Sequence, residues 1–155
     1  MKNLLPLIAL VLVLTSCGSS KKTYTASNTQ ADRIVNQAEA FSGTPYKWGG
    51  TTRGGMDCSG LIYVAFQKEN VALPRVSRDM ATQGKAIKKS AVRKGDLVFF
   101  KTNKNKNTIN HVGLVTQVNA GVIYFIHATS SRGVLTSSLE ENYWKSAYSQ
   151  ARRVL

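Results

Sequence analysis

Cysteine and histidine are both scarce: 155 residues hold two of each, Cys17 and Cys58, His111 and His127. Two thiols allow at most one intramolecular disulfide, and none if Cys17 is chemically occupied, which excludes a disulfide framework. Two imidazoles and one remaining thiol are better accounted for as a catalytic set than as ligands, so no metal and no cofactor is expected. Long hydrophobic runs are also lacking. The run from Leu4 to Leu14 is too short for a permanent bilayer span but suits the apolar core of an export signal, with Lys2 before it. Acidic residues number eight against 21 lysines and arginines, for a net charge of +13. Such a surface suits a polyanion, whether nucleic acid, anionic head groups or an acidic wall polymer, and export argues against nucleic acid.

What is present divides the chain into three parts. The apolar run ends in Leu14-Thr15-Ser16-Cys17, which resembles the lipobox of bacterial lipoproteins. That resemblance implies a signal peptide over 1–16 and lipidation (palmitate) of Cys17. Residues 17–30 then hold the lipidated Cys and a tether of Ser, Thr, Lys and Asn with too little apolar content to offset ordering entropy. One globular domain, 31–155, remains, and about 125 residues can bury one adequate core. Lipidation also leaves Cys58 as the sole free thiol.

Hydrophobic periodicity orders this domain. Ala31, Ile34, Val35, Ala38 and Phe41 recur at helical spacing, and Gly43 with Pro45 ends the helix. A glycine-rich approach, Tyr46-Lys47-Trp48-Gly49-Gly50, precedes a second helix from Asp57 to about Lys68. Asp57 is its N-cap candidate, which leaves Cys58 in the first turn. A short helix is expected from Ser77 to about Gln83. Asp96 to Phe100 is the first expected strand, apolar on both faces. His111–Val118 and Val122–Ala128 read as a hairpin with a three-residue turn, Asn119-Ala120-Gly121, and Gly133–Ser137 and Ala151–Leu155 as later strands. Helices first and strands second indicate an α+β fold.

The placement of the scarce residues carries the chemistry. A thiol in the first turn of a helix meets unsatisfied N–H groups and partial positive charge, which favour a thiolate and can hold an oxyanion. With a three-residue turn, Val118 pairs with Val122, so Gly113 faces His127 and His111 lies two residues along on the same face. Diagonal neighbours of this kind are about 7–8 Å apart at Cα. His111 is then the general base for Cys58, and His127 the residue that fixes its tautomer.

Tyr46-Lys47-Trp48-Gly49-Gly50, Asp57-Cys58-Ser59-Gly60, Leu73-Pro74-Arg75 with Ser77, Gly95-Asp96-Leu97-Val98-Phe99-Phe100 and His111-Val112-Gly113 resemble, in order, the motifs of the NlpC-type cell-wall cysteine peptidases. The resemblance implies a papain-like α+β fold with N-terminal helices packed on an antiparallel sheet. It also implies hydrolysis of peptidoglycan stem peptides, at γ-D-glutamyl–diamino acid bonds or at D-alanyl cross-links. By position it gives Cys58 as nucleophile, His111 as base and His127 as the third polar residue. Tyr46 would line the site, Asp57 and Ser59 are candidates for holding the stem, and Arg75 and Ser77 for lining the same cleft. Asp57 has a structural alternative as a cap, and Arg75 as an ion-pair residue. The sequence departs from many members at Met80, where they carry Gln.

Two further classes compete with the endopeptidase: a thiol amidase or acyltransferase on the same scaffold, and a noncatalytic wall-binding lipoprotein. The presence of both Cys58 and His111 counts against the latter. Peptidoglycan, and the membrane through a lipid anchor, are the expected partners, with no activating partner identifiable. Gly18 after Cys17 is compatible with an outer-membrane location facing the periplasm.

Overall fold

The computed structural model describes residues 29–103 and 107–155. The expected signal peptide, Cys17 and most of the tether lie outside the described residues. The folded part takes in Thr29 and Gln30, which the sequence assigns to the tether. Thr29 and Asp32 form a reciprocal capping box at the start of α1 (Gln30–Glu39), which satisfies two of the helix's orphan donors. Ile34, Val35 and Ala38 face inward from α1.

The glycine-rich approach contains a small hairpin that periodicity did not indicate, β1 (Thr51–Thr52) against β2 (Gly55–Met56). It leads into α2 (Cys58–Gln67), whose N-cap is Asp57 as expected. After α3 (Ser77–Met80), shorter than expected, come β3 (Lys85–Ile87), β4 (Leu97–Phe100), β5 (His111–Asn119), β6 (Val122–Thr129), β7 (Gly133–Ser138), α4 (Asn142–Ala147) and β8 (Tyr148–Arg153). The six long-range strands form one antiparallel sheet in the order β3-β8-β4-β5-β6-β7. This is the α+β architecture expected, with α1, α2 and α3 on one face of the sheet and α4 on the other. The last strand starts at Tyr148, three residues earlier than its apolar residues suggested, and holds β3 at the sheet edge.

The sheet separates two apolar layers. Leu97 and Phe99 of β4 join Leu61, Ile62, Phe66, Leu114 and Ile126 on the helix side. Val98 and Phe100 point the other way, into a layer with Val115, Phe125, Leu139 and Trp144. Strand β4 therefore reads as an unbroken apolar run because both of its faces are covered. Asp96 stays outside this pattern by accepting bonds from the Arg93 amide and from Nε and Nη2 of Arg153, which tie β4 to β8.

The expected hairpin register survives through two compensating differences. The turn has two central residues, Ala120 and Gly121, both with positive φ, and Asn119 pairs with Val122. A bulge between Val115 and Gln117 then shifts the ladder by one residue, so that Leu114 pairs with Ile126. Continued one step, that register sets Gly113 against His127, as the three-residue turn would have done. A β-carbon on Gly113 would collide with the Phe125 ring. Gly113→Ala is expected to lower stability by about 1–3 kcal/mol through overpacking, read as an earlier midpoint in urea unfolding. An unchanged midpoint would show that this close approach is not a constraint.

Candidate active site

Asp57 organises the approach to the thiol. Its Oδ1 accepts from the Gly60 amide at 2.6 Å and from Nη1 of Arg75 at 2.9 Å, and the Ser59 hydroxyl donates to it at 3.2 Å. Its Oδ2 accepts from the Gly49 amide at 2.8 Å and from Nη2 of Arg75 at 2.9 Å. One carboxylate thus caps α2, pins the Tyr46–Gly50 loop and takes a two-pronged ion pair. Burial works against its ionisation, but the Arg75 bonds and the Gly60 and Gly49 amides outweigh it and hold the carboxyl below its ordinary value. Arg75 also donates to the Gly50 carbonyl at 3.3 Å. Gly60 is required here, since a β-carbon would strike that same carbonyl.

Cys58 follows at the first position of α2, buried on the helix side of the sheet. Burial pushes its thiol up from its ordinary value, opposed by the Val112, Ser59 and Cys58 amides, while the Asp57 charge adds to the rise. The Val112 amide places the sulfur at the beginning of β5, beside His111. His111 is the residue opposite Phe100 at the end of the β4–β5 ladder, and its ring lies with Phe100 and Trp144 on the other side of the sheet. Thiol and imidazole therefore line one cleft at the sheet's end.

Nε2 of His111 lies 2.8 Å from Nδ1 of His127. His127 is fully buried, and aromatic rings hold both imidazoles. Trp144 stacks on His111 at 5.1 Å and 21°, and meets His127 edge-on at 4.5 Å and 89°. Phe125 packs against His127 at 4.7 Å. Burial pushes His111 down to about 4. Burial, then the charges of His111 and Arg132, push His127 down to about 2. Both rings are neutral at pH 7, and one N–H lies between them.

Seven of the residues singled out in the sequence, Tyr46, Asp57, Cys58, Ser59, Arg75, Ser77 and His111, line one cleft of about 530 Å³. His127 stands behind His111, outside the lining. The Tyr46 phenol is held protonated, its ionisation disfavoured by burial and then by the neighbouring Cys58 and Asp57. Asp57 caps α2 and pairs with Arg75, with both of its oxygens bonded to Arg75 and to backbone amides, and both residues also line the cleft. Met80 is fully buried in the helix-side core and does not line the cleft, so the departure at this position removes no cleft group.

Sequence reasoning missed Trp144, which clamps both imidazoles, and Thr102, Asn110, Thr129 and Ser130, which complete the cleft. The aromatic pair Tyr143-Trp144 in a polar stretch was the available signal. The four polar residues carry no pattern of their own.

A buried thiol at a helix start, an imidazole beside it and a second imidazole behind define a cysteine-hydrolase site on a papain-like α+β scaffold. The NlpC/P60 family model matches residues 43–153, and the chain belongs to that family. It is 42% identical over 122 residues to "Probable endopeptidase NlpC" of Escherichia coli (strain K12), covering 78% of this chain and 76% of that protein. It is 40% identical over 124 residues to "Murein DD-endopeptidase MepS/Murein LD-carboxypeptidase" of the same strain, covering 79% of this chain and 62% of that protein. Among solved structures, an NlpC/P60 family protein from Bacillus cereus ATCC 10987 superposes with a TM-score of 0.73 at 32% identity, covering 81% of this chain and 40% of that one.

The buried neutral imidazoles set an acid dependence. Unfolding returns them to the usual value near 6.5, so between 6.5 and about 4 the unfolded chain binds protons that the folded chain does not. Stability is therefore fully present above that window and falls as pH drops through it. Urea unfolding at pH 7 and pH 5 should show this loss, and a His111→Gln/His127→Gln double variant should show a smaller one. An equal loss in both proteins would assign the acid sensitivity elsewhere.

Proposed function

We propose that this protein is a cysteine endopeptidase of peptidoglycan stem peptides, with Cys58 as nucleophile, His111 as general base and His127 as the residue that orients it. The observation that carries this reading is that Cys58 and His111 line one open cleft, with His127 bonded to His111 from behind. Its setting is a family whose relatives are named for cell-wall endopeptidases.

With Nε2 of His111 engaged by His127, Nδ1 is the nitrogen left for the thiol. The productive tautomer has Nε2–H of His111 donating to Nδ1 of His127, which leaves a lone pair on Nδ1 of His111. In the free protein both partners are neutral, because burial penalises either charge alone. A carbonyl placed over the sulfur changes that balance. As Sγ attacks the carbonyl carbon, its proton passes to Nδ1 of His111, so opposite charges arise together and stabilise one another. The developing oxyanion faces the first amides of α2 and the protonated Tyr46 phenol. Collapse breaks the C–N bond, and the amine leaves with the proton from Nδ1. Water then attacks the thioester, gives its proton to the same nitrogen, and releases the carboxylic acid and the thiol.

Substrate is held by the cleft walls carrying Tyr46, Ser59, Arg75 and Ser77. The scissile bond is either γ-D-glutamyl–diamino acid or a D-alanyl cross-link, the second favoured by the likeness to a relative named as a DD-endopeptidase. Cys17 is proposed as the lipid anchor, with the domain at the outer membrane facing the periplasm. An amidase or acyltransferase would share the thioacyl intermediate and differ only in what accepts it.

Mass spectrometry of products from isolated sacculi and from defined stem peptides tests the reading. The parent protein should release a γ-D-glutamyl fragment or lose D-alanyl cross-links, and Cys58→Ala should do neither. His127→Ala should lower kcat/KM by about 10²–10⁴-fold, the usual size of a misoriented general base. Product transfer to an added amine in preference to water would favour the acyltransferase.

A further inference from the structure

Five large apolar side chains are exposed among the described residues, and three of them, Trp48 at 86%, Tyr143 at 58% and Val76 at 48%, stand around the mouth of the Cys58 cleft. Trp48 is the extreme case. An indole left this open gives up the burial that usually accounts for a tryptophan.

Its backbone, in contrast, is firmly held. Gly50 donates to the Lys47 carbonyl at 2.9 Å, closing a four-residue turn with Trp48 at the second position. Gly49 at the third has φ +72°, the geometry that a type II turn reserves for glycine. The Gly49 amide is fastened to Asp57 at 2.8 Å, and the Lys47 amide to the Met56 carbonyl at 3.1 Å. A rigid turn thus presents an almost bare aromatic face, fixed to the same carboxylate that caps the helix bearing Cys58. Presentation of this kind lowers the ordering cost of binding.

We propose that Trp48 is a platform for a pyranose ring of the glycan strand, so that the protein reads the sugar to which a stem is attached as well as the stem itself. The apolar C–H face of an N-acetylated amino sugar matches a flat, exposed indole, and its hydroxyl and acetamido groups stay in water at the rim. Val76, next to Arg75 in the chain, adds another exposed apolar side chain to the same cleft. The stem enters between these rims toward the sulfur. This inference rests on the peptidoglycan reading above.

The test compares a cross-linked muropeptide carrying its disaccharides with the same peptide stripped of sugar. Trp48→Ala should lower the preference for the sugar-bearing substrate, as a ratio of kcat/KM values, by about threefold to tenfold, the size of one aromatic stacking contact. Trp48→Phe should recover part of it. Independently, titrating the Cys58→Ala protein with the stem-free disaccharide should shift indole emission to the blue, and the shift should vanish in Cys58→Ala/Trp48→Ala. A preference ratio unchanged by Trp48→Ala, or no emission change with the disaccharide, would overturn the platform. If the parent protein cuts neither substrate, the endopeptidase reading fails, and the disaccharide titration still decides for or against the platform.

Discussion

The bond between Nε2 of His111 and Nδ1 of His127, 2.8 Å long, decides which nitrogen can face the thiol and in which protonation state. It forms in a buried setting, between two rings clamped by Trp144 and Phe125, so neither ring can turn to an alternative partner at low cost. Much of the sheet serves this bond. The bulge at Thr116 sets the register that brings β5 and β6 into phase, Gly113 lets the strands and Phe125 close up, and α4 delivers the tryptophan.

A second constraint meets the first across the end of the sheet. The Asp57 carboxylate fixes the start of α2, the Trp48 turn and Arg75 together, and the Val112 amide joins the sulfur to the strand that carries His111. The thiol and the imidazoles thus belong to opposite apolar layers and are aligned only where β5 begins.

Much of this arrangement was legible in the sequence because it depends on local chemistry. Helical spacing and an acidic cap located α2, the two-sided apolarity of Leu97 to Phe100 marked a strand buried on both faces, and the scarcity of Cys and His isolated the reactive set. The hairpin register came out right although its turn was misjudged, since a shorter turn and a bulge shift the ladder in opposite senses. Bulges leave little trace in a strand whose apolar pattern runs on unbroken. The β1–β2 hairpin and β3 were missed because two and three residues are too few to show a period. Trp144 was passed over for another reason: its role is set by a tertiary contact with residues 17 and 33 positions away. The ion pair of Asp57 with Arg75 likewise spans 18 residues, and sequence alone left both side chains between structural and substrate-binding roles.

The most direct test of the relay is the ¹⁵N NMR spectrum of the ring nitrogens in the full chain at pH 7. Two neutral imidazoles that stay neutral down to about pH 5 are expected, with Nε2 of His111 protonated and its Nδ1 bare, consistent with values pushed down by burial. A doubly protonated ring on either histidine at pH 7, or a proton on Nδ1 of a neutral His111, would contradict it.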